Sequence, residues 1–342
     1  MATRYVDKVA NLAEIINRPD AAGIGMYNGG LYANLSGTPF LVAANPAGRL
    51  FYVDANSGSD SDDGRSWEKA FLTMSKAFTS VASGDTVYFR GKIKEQLTAP
   101  AQIFDVTIIG AGNRPRHADS TPANGELAAN TWTTPDSPTA ATPLVKVQQQ
   151  GWRFVNILFA GPTTSNDNNA CVQLARTSDS GNNEKDSSHA EFLNCRFDSG
   201  YNGIYDSGGC YNVLVQECIF RALTGFCILG VGSVGVGQLQ WVIKDNYFTG
   251  FTNGINIDGH RTLVTRNYFT DGGTPTTTVV LDMANTAAGT DNFIVGNFFQ
   301  TSTANFNSPD IVGNTTDVWA VNASIDSTSA GVGGNYEWGQ PA

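Results

Sequence analysis

FVNILF (Phe154–Phe159), FLNCRF (Phe192–Phe197), VQECIF (Val215–Phe220), IKDNYF (Ile243–Phe248), VTRNYF (Val264–Phe269) and IVGNFF (Ile294–Phe299) are six copies of one pattern: branched apolar residues, polar positions, then a phenylalanine. The closing phenylalanines fall 38, 23, 28, 21 and 30 residues apart. A minimum near 21 with longer gaps describes a constant unit carrying insertions, and repeats of this length belong to solenoids, propellers or arrays. Inside each copy the apolar residues alternate and show no helical period. That selects a β-solenoid.

A second short strand follows most closing phenylalanines: NGIYD (Asn202–Asp206), TGFCIL (Thr224–Leu229), NGINID (Asn253–Asp258) and TVVLD (Thr278–Asp282). Gly203, Gly225 and Gly254 are expected in register, at corners needing an unusual backbone angle. Two residues before the closing phenylalanine the repeat reads Ile157, Cys195, Cys218, Asn246, Asn267, Asn297. Stacked asparagines at a corner satisfy backbone groups through their side chains. The two cysteines are expected to fill the same slot as small apolar groups.

The 342 residues include 37 glycines and only 15% charged residues, which suits a turn-rich all-β chain. A formal net charge of −10 argues against nucleic acid, which attracts basic patches. No run of 18 apolar residues exists, so no membrane insertion is expected. Met1 to Asn17 mixes charges into its apolar positions and does not read as a signal peptide. The five cysteines (171, 195, 210, 218, 227) form no CxxC pair, which removes the common zinc and redox signatures. They are expected to be buried and reduced.

Residues 1–50 read differently from the rest. Val6, Val9, Ala10, Ala13 and Ile16 make an apolar helical face ending before Pro19. Beyond it, glycines and prolines break up Met26, Tyr27, Leu31, Tyr32 and Phe40, so 1–50 is expected to be an arm that docks on another surface. Residues 51–342 are assigned to the β-helix. Trp67, Phe71, Met74, Phe78 and Val81 predict one amphipathic helix capped by Ser66, plugging the open end of the solenoid. Long insertions are expected at 161–189, 230–238 and 301–309.

The run FYVDANSGSDSDDGRSWEKAFLTMSKAF, then SGDTVYFRG and VTIIGAG, resembles the N-terminal signature of pectin-lyase-like parallel β-helix proteins. The repeats after it are similar to the coils of the same group. The resemblance covers roughly residues 51–330 and implies an all-β, single-stranded right-handed parallel β-helix. It does not fix activity, because one fold hosts many functions. With the short N-terminal arm it looks most like a phage virion spike or capsid-decoration protein. That implies a homotrimer, attachment to other virion proteins through residues 1–50, and a host surface glycan as a further partner.

Candidate chemistry is sparse. Asp206, Asp258 and Asp282 each end a second strand, and Asp258 is expected beside Asp282 in the next coil. Paired carboxylates about 5 Å apart suit a retaining glycosidase. The plainer reading is an Asx-turn at each corner. His260 and Arg261 come next, in the run DGHRT. Polygalacturonase-like enzymes carry Gly-His-Gly after paired aspartates; here Gly259 and His260 match, but the adjacent Asp-Asp and the Arg-x-Lys are missing. Asp258, Asp282, His260 and Arg261 are thus the alternative catalytic set. Three before the closing phenylalanine stand Asn156, Asn194, Glu217, Asp245 and Arg266, where Asp245 and Arg266 predict a cross-coil ion pair of little worth. GVGSVG (Gly230–Gly235) lacks a following helix and is no phosphate cradle. Asp60, Asp62 and Asp63 lack EF-hand spacing. No metal or cofactor is expected.

The expected function is a non-enzymatic structural protein of a phage particle. The alternatives are a tail-spike enzyme cleaving host polysaccharide and a non-catalytic carbohydrate-binding β-helix. An outward row of Trp or Tyr beside acids would favour either alternative.

Overall fold

In the computed structural model the described residues are 23–27, 30–35, 38–43, 48–112, 130–176, 185–231, 238–270, 279–283, 291–301, 311–312, 316–326 and 336–338. Each repeat copy is two three-residue strands joined at one corner. In VTRNYF the strand Leu263–Thr265 ends at Arg266 and the strand Tyr268–Thr270 begins after Asn267. Val264 and Phe269 point inward and are fully buried. The strands before the corner stack in parallel into one sheet, such as Val264 on Ile243 and Ile294. Those after it form a second, such as Phe269 on Phe248 and Phe299. A third sheet runs through Val145–Val147, Ala170–Leu174, Asn202–Asp206, Phe226–Gly230, Asn253–Asn256 and Val279–Asp282. Three parallel walls visited in turn by successive coils make a right-handed parallel β-helix, as expected.

The interior is a set of columns. Phe159, Phe197, Phe220, Phe248, Phe269 and Phe299 stack with ring centroids 4.5–5.2 Å apart and planes within 13°. The rise between parallel strands is about 4.8 Å, so identical rings at identical positions must stack. The column begins earlier than the six repeats, since Trp132 stacks on Phe159 at 6.2 Å. It ends in a copy without phenylalanine: WAVNAS (Trp319–Ser324) places Ser324 beside Phe299.

The asparagine ladder forms and extends to Asn322. Asn267 Nδ2 donates to the Ile243 carbonyl at 2.9 Å, and its Oδ1 accepts from the Asn246 N–H at 3.0 Å. Asn246, Asn297 and Asn322 donate in the same way to Val215, Val264 and Ile294. Cys195 and Cys218 fill the slot and also imitate its chemistry, because their thiols lie 3.4 Å from the Phe154 and Phe192 carbonyls at the equivalent positions. All five cysteines are buried and free.

The corner itself uses left-handed backbone. Asn156, Asn194, Glu217, Asp245, Arg266, Gly296 and Val321 have φ between 52° and 68°. Glycine is thus not required where the first two sheets meet. Gly203 and Gly254 serve another purpose: neither has positive φ, and an added Cβ would lie 2.5 Å from the Cys227 carbonyl oxygen and 2.2 Å from that of Val280. They are kept small by the next coil. Gly225 is out of register with them, because Ile204 pairs with Ile228 and sets Gly203 opposite Cys227.

Two expectations near the N-terminus change. The helix expected from Trp67 to Val81 is a 3-10 turn, Trp67–Lys69, and then an α-helix, α1 (Met74–Ser80). Phe71 between them bridges to Val53, which interrupts the helix. Thr73 rather than Ser66 caps α1, and the Glu95 carboxylate also accepts from the Met74 and Ser75 N–H groups. Asp60, from the acidic loop, accepts from Leu72 and Thr73. Phe78 on α1 packs against Trp132 and Trp152, as a plug should.

Within residues 1–50, the helix expected before Pro19 lies outside the described residues. From Gly23 onward the arm pairs with itself: β1 (Gly23–Tyr27), β2 (Gly30–Leu35) and β3 (Thr38–Ala43) form a three-stranded antiparallel sheet of their own. Asn28–Gly29 separates paired residues Tyr27 and Gly30, and an Asn-Gly link of two residues is a strong hairpin signal. Gly29 and Gly37, which look like breakers, lie between strands.

Candidate functional site

The three candidate aspartates do not form a ladder. Ile204, Ile255 and Leu281 stack in the third sheet and fix its register. Asp282 lies one residue beyond its inward aliphatic, Asp206 two and Asp258 three. Asp282 therefore pairs with Asn256, not with Asp258. The expected Asp258–Asp282 neighbours are corrected by this offset, which no count of residues between repeats could reveal.

Each aspartate then has its own setting. Asp206 is fully buried and accepts from the Gly208 and Cys210 N–H groups and from Gln238 Nε2 at 2.8–3.1 Å. The bond to Gly208, two residues on, is the Asx-turn of the plainer reading. Burial pushes this carboxyl's pKa up, against the pull of the three hydrogen bonds. Asp258 is also buried, and its backbone bonds Gln238 twice, through N–H to Oε1 and through C=O from N–H. Asp282 is half-buried at the end of its strand. His260 belongs to a two-residue strand paired with Gln238–Leu239. Arg261 is exposed at a left-handed corner with φ 52°. Asp258 precedes that strand, His260 lies in it and Arg261 follows it, while the Ile257 and Gly259 N–H groups bond the Asp282 and Met283 carbonyls of the next coil.

The outer surface where the first two sheets meet is more organised. Arg266 grips Asp245 of the previous coil through two bonds of 2.7 Å each. This cross-coil pair was legible in the sequence. Arg266 holds the Asp245 carboxyl below its ordinary range. Beside it, Tyr247, Tyr268 and Phe298 form an outward column, with centroids 5.0 and 4.8 Å apart and planes within 14°. Sequence reading missed this column. Its signal was the doubled aromatic in NYF and NFF: strand alternation turns one ring in and the other out.

The ring faces in this column are turned to each other, so the column presents ring edges outward. Sugar rings stack on aromatic faces, which makes this a ledge more than a sugar platform. Among the described residues no group of three or more His, Cys, Asp or Glu side chains is placed to hold a metal ion. Among them, too, no helix is long and apolar enough to cross a membrane.

No protein-family model and no curated protein matches this chain. Solved structures do. The GH136 lacto-N-biosidase from Eubacterium ramulus aligns with TM-score 0.47 at 12% identity, over 81% of this chain and 55% of its own. The chain thus spans about half the length of that protein. A rhamnogalacturonan lyase aligns with TM-score 0.38 at 13% identity, over 79% of this chain and 86% of its own. ORF18 of Geobacillus virus E2 aligns with the same score and identity, over 93% and 73%. No activity passes to this chain from likenesses of this size. Its class is set by its own strand pairing: a parallel β-helix.

Proposed function

We propose that this chain is a structural protein of a phage particle: an exposed, rigid β-helix, associated as a trimer and attached to other virion proteins through residues 1–50. The phage assignment and the trimer come from the sequence resemblance. The observation that supports a mechanical role is the continuity of the interior. Every coil from Trp132 to Phe299 is joined to the next by a stacked ring, and the later coils also by side-chain amides. Such a rod resists bending, because any bend must open stacked rings and buried hydrogen bonds together. The separate sheet β1–β3 supports a distinct attachment unit, since it shares no strand pairing with the β-helix among the described residues.

Deleting residues 1–46 tests the reading. The truncated chain should stay folded and oligomeric and fail to join particles. Unfolding or dissociation would place the arm within the fold instead. Antibody labelling of intact particles should find the full chain on the outer surface.

The second reading is a chain that binds or cleaves a host surface polysaccharide. The outward column of Tyr247, Tyr268 and Phe298 near Asp245 favours it through contacts at ring edges and polar groups rather than through face stacking. Release of new reducing or unsaturated ends from host capsule or lipopolysaccharide would establish cleavage. Retention without release would establish binding alone.

A further inference from the structure

The two ends of the solenoid are finished differently. At the start, α1 lays Phe78 against Trp132 and Trp152. At the finish, the strand Tyr336–Trp338 turns back and pairs antiparallel with Asn322–Asp326, which covers the last edge of the second sheet. The last strand of the first sheet, Val318–Ala320, pairs with Phe293–Val295 and with no further strand among the described residues. Its Val318 N–H and Ala320 carbonyl both bond the preceding coil, to the Asn292 carbonyl and the Gly296 N–H. Strand alternation therefore aims the main-chain N–H and C=O of Trp319, between them, off the end of the rod. The side chain of Trp319 is incomplete too. Its ring is 9% exposed, and its Nε1 is buried with no hydrogen-bond partner among the described residues. The fully buried indoles of Trp132, Trp152 and Trp241 each donate to a main-chain carbonyl at 2.7–2.9 Å. A buried donor without an acceptor is costly, so it points to a contact that this chain does not complete by itself.

We propose that this edge takes up an extended, basic segment of a partner protein, which adds to the first sheet as a further strand and sets a carbonyl on the Trp319 Nε1. An extended backbone supplies the missing partners in one piece, a carbonyl for each N–H and an N–H for the Trp319 carbonyl. Charge selects the sequence of that segment. Residues 267–342 contain seven acids and no Lys or Arg, so seven of the net ten negative charges fall at this end of the chain. Asp317 stands directly before Val318, and Asp291 is exposed one coil back, before Phe293. A second copy would bring the same acids to the contact and be repelled, whereas a segment carrying Lys or Arg is drawn in. This is a contact apart from the attachment proposed through residues 1–50.

The probe is a fluorescently labelled peptide of alternating Lys and Val, titrated into the full chain and followed by anisotropy. It should bind, and binding should protect the Trp319 amide in hydrogen-exchange mass spectrometry. A twin peptide of alternating Lys and Pro carries the same charge but lacks half of the ladder donors, and should bind about tenfold more weakly. W319F keeps an aromatic ring at the end of the core and loses only the indole donor; it should bind the Lys-Val peptide about fivefold more weakly, the equivalent of one hydrogen bond. Absence of binding by the Lys-Val peptide overturns the proposal. Equal binding of the two peptides, or protection that leaves Trp319 out, reduces the effect to a diffuse attraction by the acids and overturns it as well. Concentration-dependent protection of Trp319 without peptide would give the edge to a second copy instead. If W319F unfolds, the two peptides compared on the wild-type chain still decide the question.

Discussion

The inner and outer rows of the same coils obey different rules. Inward, six consecutive phenylalanines stack without interruption from Phe159 to Phe299. Outward, on the strands before the corner, the row reads Glu191, Leu214, Val242, Leu263, Phe293, Val318. The inner row is held constant by packing, because a ring at this spacing finds its best partner in another ring. The outer row answers to solvent and to partners, so it drifts from charged to apolar. The repeat explains the rod, and the departures from the repeat on its outside are where function should be sought.

Adjacent aromatics give the largest test of that contrast. Phe248→Ala should cost about 3–5 kcal/mol of stability in urea unfolding, the usual range for a fully buried ring. Tyr247→Ala, one residue away on the outer face, should cost about 1 kcal/mol from lost stacking. Equal costs would mean that inside and outside are not distinct environments.

A middle-sized effect separates the two chemistries of the inner corner. Asn267→Ala leaves the Asn246 N–H and the Ile243 carbonyl without their partner and should cost about 1–3 kcal/mol. Cys218→Ala removes only a weak thiol bond and should cost less. Cys195 and Cys218 are both buried, so in the native state they should react with thiol reagents only on unfolding. Rapid labelling of either in the native state would show that this corner opens.

The smallest effect belongs to the outer corner. The Asp245 pKa is lowered in the folded chain by Arg266, so its contribution is fully present above the unfolded value of about 3.9. It is lost as pH falls through the lowered native value. Arg266→Gln should flatten that acid limb slightly and leave neutral-pH stability almost unchanged, because the guanidinium is mostly exposed. A large change at pH 7 would give this pair an importance that its exposure denies it.

Much of the interior was legible in the sequence. The phenylalanine column, the asparagine ladder, the buried cysteines and the Asp245–Arg266 pair all arise from residues recurring at one position of a repeat. The coils that escaped notice are those lacking the marker phenylalanine. Trp132 is split from its first strand by the stretch 111–129, and WAVNAS closes on Ser324, although its Asn322 was the clue. The antiparallel sheet β1–β3 was hidden by reading the glycines of this stretch as interruptions.

Sequence alone determined the coil, its inward columns and the plug at its start, because a solenoid repeats each contact at the spacing of its own strands. Tertiary structure alone decided which residues meet across the third sheet. There the insertions vary, and the register is fixed by where Ile204, Ile255 and Leu281 enter the core. That register set Asp282 opposite Asn256 rather than Asp258. The same stacking set Phe293 beside Val318, far apart along the chain, a proximity that only the folded rod creates.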